Sequence, residues 1–301
     1  MTTTRVTLTA PAKINLALQV APLGADGYHQ LRNVFAAIDM HDDLVCQPAP
    51  DGVIHVTVLG RQAALVPRGG TDLTGRAAKL LRDSFGLKDM GAHLTLTKTI
   101  PIAGGMAGGS ADAAAALRGC NALWGLGVGD DELKALAREL GADVPFALMG
   151  GVALGTGRGD VLTPLPSSGT FTWVLALATQ GLSTASVFAT FDQLPELFAP
   201  VSLDGLLAGL ADGDAKTLGA NLMNDLQTAA LCLRPELGET LAAGRRLPGV
   251  LGAVLCGSGP TCAFLCESPA SAKGVAETLA GLPQVSGTRI ATSPAPGARI
   301  N

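Results

Sequence analysis

The sequence predicts an α+β fold built from two domains. The chain has 301 residues, and at about 150 residues per domain this length favours two. Hydrophobic residues make up 48% of the chain and charged residues only 15%, which is typical of folded proteins. Strand and helix patterns follow one another without the regular βαβ alternation of a parallel sheet. We place the domain boundary in the polar segment 167–170, which gives domains of residues 1–166 and 167–301.

Hydrophobic periodicity predicts the individual elements. Strand patterns occupy residues 5–20, 53–60, 93–100, 152–165 (two strands and a turn), 172–178, 250–266 (a hairpin) and 288–292. Helical spacing occupies residues 71–86, 110–125, 130–140, 184–192, 203–211, 215–231, 235–247 and 269–281. In the first strand, strict alternation puts Lys13, Asn15 and Gln19 on one face.

Composition excludes several classes of protein. The net charge is -4, with 21 basic and 25 acidic residues, so there is no basic footprint for nucleic acid. No segment has the roughly 18 to 20 apolar residues needed to span a bilayer, and the N-terminus lacks a signal-peptide pattern. The six cysteines form no C-x-x-C pair, which favours small core side chains over metal ligands. We therefore expect a cytoplasmic protein with neither nucleic acid nor membrane as partner; its oligomeric state is left open.

A glycine-rich loop runs into an alanine-rich helix at residues 101–125. Glycine permits positive φ and lets backbone N–H groups approach a ligand closely. Ser110 stands where a helix N-cap belongs, and a helix N-terminus attracts phosphate. Neither G-x-x-x-x-G-K-[ST] nor G-x-G-x-x-G is present. The residues alone leave two interpretations open, a phosphate-binding loop or a flexible connection with a helix cap.

Three motifs, in order along the chain, resemble those of the GHMP kinase superfamily. The pattern P-x-x-x-G-x-x-G-G-S-x-D-A-A-A at 101–115 is similar to its ATP-binding motif. P-A-K-I-N-L at 11–16 is similar to its N-terminal motif, and G-S-G-P-T-C-A-F at 257–264 to its third motif. The resemblance implies an ATP- and Mg²⁺-dependent small-molecule kinase. It also implies a ribosomal-protein-S5-like N-terminal domain and a ferredoxin-like C-terminal domain.

Further residues narrow the resemblance within the superfamily. They are D-G-Y-H at 26–29, L-G-A-D-V-P-F at 140–146, and G-L-S-T at 181–184 followed by Phe188. Together they resemble the family that phosphorylates the 2-hydroxyl of 4-diphosphocytidyl-2-C-methyl-D-erythritol in the non-mevalonate isoprenoid pathway. Two alternatives stay open: another kinase of the superfamily, such as a homoserine or mevalonate kinase, and a catalytically silent nucleotide-binding module.

The resemblance implies a catalytic pair. On the residues alone, Asp143 is typical of a turn and Lys13 of a surface lysine whose ammonium reaches solvent. The resemblance makes Asp143 the carboxylate that accepts the hydroxyl proton. It makes Lys13 the partner that keeps this carboxylate ionised and stabilises developing charge.

The resemblance also implies contacts with a substrate that carries cytidine diphosphate. Tyr28 and Phe188 are expected to sandwich the cytosine ring, and His29 to read its edge. Asn15 projects from the same face as Lys13 and is expected to reach the substrate. Thr184 is expected to contact the diphosphate or the erythritol end.

We assign nucleotide binding to the glycine loop and to the charged residues that flank it. The set comprises Lys98, Pro101, Ile102, Ala103, Gly104, Gly105, Met106, Ala107, Gly108, Gly109, Ser110, Ala111 and Asp112. Met106, Ala107 and Ala111 replace the family's usual Leu, Gly and second Ser, and Asp72 replaces an Asn beside the adenosine. Residues 257–260 predict either a tight hairpin turn or a wall of the phosphate pocket. The sequence identifies no metal ligands.

Overall fold

The computed structural model describes residues 5–25, 27–66, 72–194 and 201–301. Asp26 of the D-G-Y-H motif lies outside the described residues. The strands are β1 (Val6–Leu23), β2 (His29–Ala49), β3 (Ile54–Leu59), β4 (Gly91–Thr97), β5 (Val152–Thr156), β6 (Val161–Pro164), β7 (Phe171–Ala178), β8 (Met223–Asn224), β9 (Val250–Leu255), β10 (Cys262–Cys266), β11 (Val285–Ser293) and β12 (Arg299–Ile300). The helices are α1 (Leu73–Ser84), α2 (Gly108–Trp124), α3 (Asp130–Leu140), α4 (Val144–Met149), α5 (Thr184–Phe191), α6 (Asp204–Asp212), α7 (Ala215–Ala220), α8 (Leu226–Leu233), α9 (Glu236–Arg245) and α10 (Pro269–Ala280). Of these helices, none is long and apolar enough to cross a membrane.

The strands form two sheets, which confirms the α+β class. The larger sheet has the order β12-β1-β2-β4-β3. In addition, β5 pairs with β2, β6 pairs with β5, and β8 pairs with β1. The smaller sheet has the antiparallel order β11-β7-β10-β9, with α9 and α10 packed against it. Strands β8 and β12 lie beyond residue 167 and yet pair with β1. The division at 166/167 stays a prediction.

The alanine-rich helix α2 packs directly on β1 and β2. Its residues 113–116 are fully buried, because alanine lets the helix axis lie close to the sheet. A Cβ on Gly119 would lie 2.6 Å from Cys46 Sγ, so glycine is required at this crossing. The close packing fixes the start of α2 relative to β1.

Three parts of the structure differ from the sequence-based prediction. Strand β2, 21 residues long, was not predicted from the sequence. The helix predicted over 215–231 is two helices, α7 and α8, because β8 pairs with β1 between them. The prediction that Ser110 caps α2 is wrong: the N-cap is Ala107, and Ser110 is the third residue of the helix.

Candidate active site

The glycine loop is held between β1 and the turn that joins β9 to β10. The Lys13 amide donates to the Met106 carbonyl at 3.2 Å, and the Met106 side chain is buried. Gly105 has a φ of +78°, and a Cβ there would overlap the Cys256 carbonyl oxygen. The loop is therefore in direct contact with both neighbours.

The start of α2 has the form of an anion site. Ala107 adopts a left-handed φ of +57°, so the chain enters the helix at Gly108 rather than at Ser110. The first amides of a helix have no partner within it, and they carry the positive end of the helix dipole. Ala107, Gly108 and Gly109 line a cavity of about 440 Å³. The free amides at the start of α2 can donate hydrogen bonds to phosphate oxygens in this cavity.

Lys13, Asn15 and Asp143 meet at the floor of this cavity. Lys13 Nζ donates to Asn15 Oδ1 at 2.9 Å and lies 3.8 Å from Asp143 Oδ2. Register shifts in β1 on both sides of these residues aim the Lys13 and Asn15 side chains at the cavity. The second shift also ends the strict alternation, so that Leu18 rather than Gln19 lines the cavity.

Asp143 occupies the N-cap position of α4 without making a side-chain capping bond. Its carboxylate is one-third exposed, so it can accept a proton from a bound hydroxyl.

The free-energy cost of burying the Lys13 ammonium is offset by its contact with an aromatic ring. Its ammonium lies 5.6 Å from the Phe35 ring centroid, and Phe35 stacks on Phe146 at 4.8 Å.

The turn 257–260 forms a wall of the same cavity. Gly257 has a φ of +52°, and a Cβ there would lie 3.3 Å from Lys13 Nζ. Asn224 Nδ2 donates to the carbonyls of Leu255 and Gly257, which fixes the turn. Glycine at 257 lets the backbone approach the ammonium, and the geometry supports the interpretation as a pocket wall.

Lys98 and Asp112 form a buried charged cluster with Asp42 behind the loop. Lys98 Nζ donates to Asp42 Oδ2 and, at 2.7 Å, to Asp112 Oδ2. Asp42 Oδ1 accepts the amides of Thr99 and Ile100, which tethers the chain entering the loop. Burial raises the pKa of Asp112 well above its usual value; Lys98 opposes this shift and Asp42 reinforces it. Both Lys98 and Asp112 line the cavity.

A second cavity of about 860 Å³ adjoins the first. Tyr28, His29 and Phe188 line it, and the rings of His29 and Phe188 lie 5.1 Å apart. His29 Nδ1 lies 2.8 Å from the Ala21 carbonyl and Nε2 lies 3.3 Å from Asp192, so both ring nitrogens have protein partners. If His29 hydrogen-bonds to the edge of a bound base through its ring, it must therefore give up one of these contacts.

The two cavities share Leu31, Asp143, Thr184 and Phe188. Asp143 therefore faces the glycine loop on one side and an aromatic pocket on the other. Thr184 Oγ1 lies 2.9 Å from Ser258 Oγ, which joins α5 to the turn 257–260 at this junction.

Most of the expected site residues come together here. Three residues of the glycine loop do not line the first cavity: Met106 and Ala111 are buried in the core, and Ser110 lines the second cavity instead. Asp72 does line the first cavity, but its Oδ1 accepts the Gly75 amide at 2.8 Å and so caps α1.

Sequence reasoning missed four residues at or beside the site: Asn33, Asp42, Arg158 and Asp192. Arg158 lies over the Tyr28 ring at 4.8 Å, and the others make the contacts described above or below. These four residues carry no local signal in the sequence, because the fold brings them to the site.

Comparison with known proteins identifies the family. The model of the GHMP kinases N terminal domain matches residues 72–151, and that of the GHMP kinases C terminal domain matches residues 206–282. The chain belongs to the GHMP kinase family. As a member of this family it is an ATP-dependent small-molecule kinase.

Relatives of this GHMP kinase agree on a narrower group. The chain is 50% identical over 304 residues to the 4-diphosphocytidyl-2-C-methyl-D-erythritol kinase of Thermobifida fusca. The aligned region covers 99% of this chain and 98% of the relative. A crystal structure of 4-(cytidine 5'-diphospho)-2C-methyl-D-erythritol kinase matches with a TM-score of 0.80 at 34% identity, over 95% of this chain and 98% of that one. A homoserine kinase from Cytophaga hutchinsonii matches with a TM-score of 0.81 over 100% and 98% of the two chains, but at 18% identity this shows the fold alone.

Proposed function

We propose that this kinase transfers the γ-phosphate of ATP to the 2-hydroxyl of 4-diphosphocytidyl-2-C-methyl-D-erythritol. The observation that carries the proposal is the placement of Asp143 between the glycine-loop cavity and the aromatic cavity. A kinase must bring a phosphate chain and an alcohol to one point, and these cavities meet at one carboxylate. The names of the relatives supply the acceptor.

The roles follow from the chemistry of each group. Asp143 takes the proton from the acceptor hydroxyl as its oxygen bonds to the γ-phosphorus, and ADP departs with the electrons of the broken P–O bond. Lys13, 3.8 Å away, attracts the carboxylate and offsets charge on the transferring group. The open amides at the start of α2 hold the phosphate chain of ATP.

The acceptor occupies the aromatic cavity in this proposal. Its cytosine ring lies against Tyr28 and Phe188, and Thr184 at the junction contacts the part of the substrate nearest the reacting hydroxyl. We place the enzyme in the cytoplasm, where ATP is available. We further propose that residues 1–166 and 167–301 form the two domains, which is supported by the assignment of β7 and β9–β11 to a separate sheet.

Mg²⁺ is proposed to enter with ATP. Among the described residues there is no group of three or more His, Cys, Asp or Glu side chains placed to hold a metal ion. In kinases Mg²⁺ is commonly held by phosphate oxygens and water with only one or two protein carboxylates. When bound, the ion would neutralise charge on the β- and γ-phosphates.

A substrate panel tests the proposal. Purified enzyme with ATP and Mg²⁺ is offered 4-diphosphocytidyl-2-C-methyl-D-erythritol, homoserine or mevalonate, and ADP release is followed with a coupled assay. We expect ADP release above background with the first acceptor alone. Homoserine enters the panel because a homoserine kinase shares the fold. Turnover of homoserine or mevalonate in place of the cytidyl compound would overturn the assignment.

A further inference from the structure

Asn33 lies on β2, next to Lys13 and Asn15 on β1, at the floor of the first cavity. The pairing of β1 with β2 sets Asn33 opposite Leu18, and Asn15 Nδ2 donates to Asn33 Oδ1 at 2.9 Å. Asn33 is 4% exposed and lines the first cavity. A polar side chain this buried is expected to satisfy its hydrogen bonds, so each of its polar atoms needs an account.

The hydrogen bonds from Lys13 to Asn33 can run in only one direction. The Lys13 ammonium has donors and no acceptor, so Asn15 must present its carbonyl oxygen to Lys13. Asn15 then turns its amide nitrogen to the other side, where it needs an acceptor, and Asn33 Oδ1 supplies one. Asn33 therefore fixes the amide orientation that holds Lys13 in place.

The same constraint leaves the Asn33 amide nitrogen free. Because Oδ1 faces Asn15, Nδ2 faces away from it, and it donates to no group in the described part of the chain. Among the described residues, the fully buried side-chain atoms without partners are Asp112 Oδ1, Arg118 Nε and Ser167 Oγ. Asn33 Nδ2 is not one of them, so it is not sealed in the core. An open donor on a cavity wall is a binding group for an oxygen of the ligand.

The position of Asn33 assigns that donor to the acceptor rather than to ATP. His29, Leu31 and Asn33 alternate along β2 and so share one face of the strand. His29 lines the second cavity, and Leu31 lines both. The glycine loop bonds to the other end of the hydrogen-bonded chain Asn33–Asn15–Lys13, where the Lys13 amide donates to the Met106 carbonyl.

We propose that Asn33 is a substrate-positioning residue with two functions. Its Oδ1 orients Asn15, which orients Lys13, and its Nδ2 donates to an oxygen of the acceptor close to the reacting hydroxyl. The second function places Asn33 at the sugar-alcohol end of the acceptor, away from the cytosine ring. The inference rests on the proposed function for the identity of the acceptor.

Two substitutions separate the functions. Asn33→Asp keeps an oxygen for Asn15 and replaces the Nδ2 donor by a second acceptor atom of the same size. It should raise KM for the acceptor roughly tenfold or more, because a hydrogen bond is lost and an oxygen faces an oxygen. Asn33→Leu removes both functions and should also lower kcat, since Asn15 loses its acceptor. KM for ATP should stay within about twofold in both variants.

Matched controls exclude a merely structural effect. Asn121 is a partly buried asparagine remote from the site, whose side chain bonds both backbone groups of Val128. Asn121→Asp should lower the Tm and leave both KM values unchanged. Cytidine 5′-diphosphate lacks the sugar-alcohol end, so its inhibition constant should be unchanged in Asn33→Asp but raised in Tyr28→Ala.

The outcomes bear on two separate claims. Turnover by the wild-type enzyme in the substrate panel tests the proposed function. The role of Asn33 is tested by the ratio of the variant's acceptor KM to that of the wild type, measured with whichever acceptor the panel identifies. An unchanged acceptor KM in a folded Asn33→Asp protein would overturn the inference. So would a rise in KM for ATP equal to that for the acceptor. If Asn33→Leu does not fold, Asn33→Asp decides alone.

Discussion

Asp143 and Lys13 should act as a unit on the chemical step. The structure places their charged atoms 3.8 Å apart and gives Asp143 no capping bond that would compete for its carboxylate. Asp143→Asn keeps the size and removes the base, while Lys13→Met keeps most of the buried stem and removes the charge. Both changes should reduce turnover while leaving the two cavities in place.

The expected loss can be given a magnitude. A positioned general base contributes typically about 10²–10⁴-fold, which at about 1.36 kcal/mol per tenfold is about 2.7–5.4 kcal/mol of activation free energy. Lys13→Met should cost a comparable amount, since it also leaves Asn15 Oδ1 without its donor. The double variant should be little slower than the slower single variant, because groups that serve one step are not additive.

The assay is ADP release at saturating ATP and acceptor, with KM determined for each substrate in all four proteins. Asp131→Asn serves as the control, since Asp131 is a fully exposed carboxylate on α3. Losses of the two single variants that multiply in the double variant would show that the residues act independently. Turnover at the wild-type rate in Asp143→Asn would refute the catalytic assignment.

Three further changes probe the rest of the site. Tyr28→Ala should raise KM for the acceptor by an amount equivalent to about 1–3 kcal/mol of lost stacking, and leave KM for ATP unchanged. Gly108→Val should raise KM for ATP, because a Cβ at this position would already lie 3.0 Å from an Ile100 methyl and 3.2 Å from Lys98 Nζ. Gly109→Ala is its control, since there a Cβ would meet only a Leu73 methyl, at 3.3 Å. For Asp112→Asn, the Tm of the variant minus that of wild type should increase as the pH rises above about 4, the ordinary carboxyl pKa.

The sign for Asp112 follows from its raised pKa. The folded protein holds this proton to higher pH than the unfolded chain does, so wild-type stability falls as the pH rises from the unfolded pKa through the folded one. Asparagine cannot ionise and escapes this loss. A constant Tm difference across the pH range would contradict the account. A higher KM for ATP in Tyr28→Ala would contradict the assignment of Tyr28 to the acceptor. Normal ATP affinity in a folded Gly108→Val protein would contradict the assignment of the glycine loop to ATP.

Much of the fold was predictable because its elements carry local signals. Helix α3 has a strong apolar stripe and acidic residues in its first turn, and the structure forms it over Asp130–Leu140 as expected. Strand β2 was missed because residues 33–38 are buried on both faces, which removes the alternation that identifies a strand. The break between α7 and α8 depends on the pairing of Met223 with Ala17, which spacing within the segment cannot show.

The site divides in the same way. Lys13, Asp143 and the glycine loop belong to contiguous motifs, so the sequence could indicate them. Asn33 reaches the site through the register of β2 against β1, and the register shifts in β1 are not visible in the residues themselves. Ser110 was misplaced because Ala107, which has no glycine-like preference, adopts a left-handed conformation and becomes the N-cap, three residues before Ser110.

The identity of the product tests the central claim most directly. Enzyme, ATP, Mg²⁺ and 4-diphosphocytidyl-2-C-methyl-D-erythritol are incubated to completion, and the product is analysed by mass spectrometry and ³¹P NMR. The account predicts a gain of one phosphate and a new phosphomonoester signal coupled to the carbon that bears the 2-hydroxyl, with the diphosphate signals retained. A product phosphorylated at another hydroxyl, or ADP formed without any phosphorylated acceptor, would contradict it.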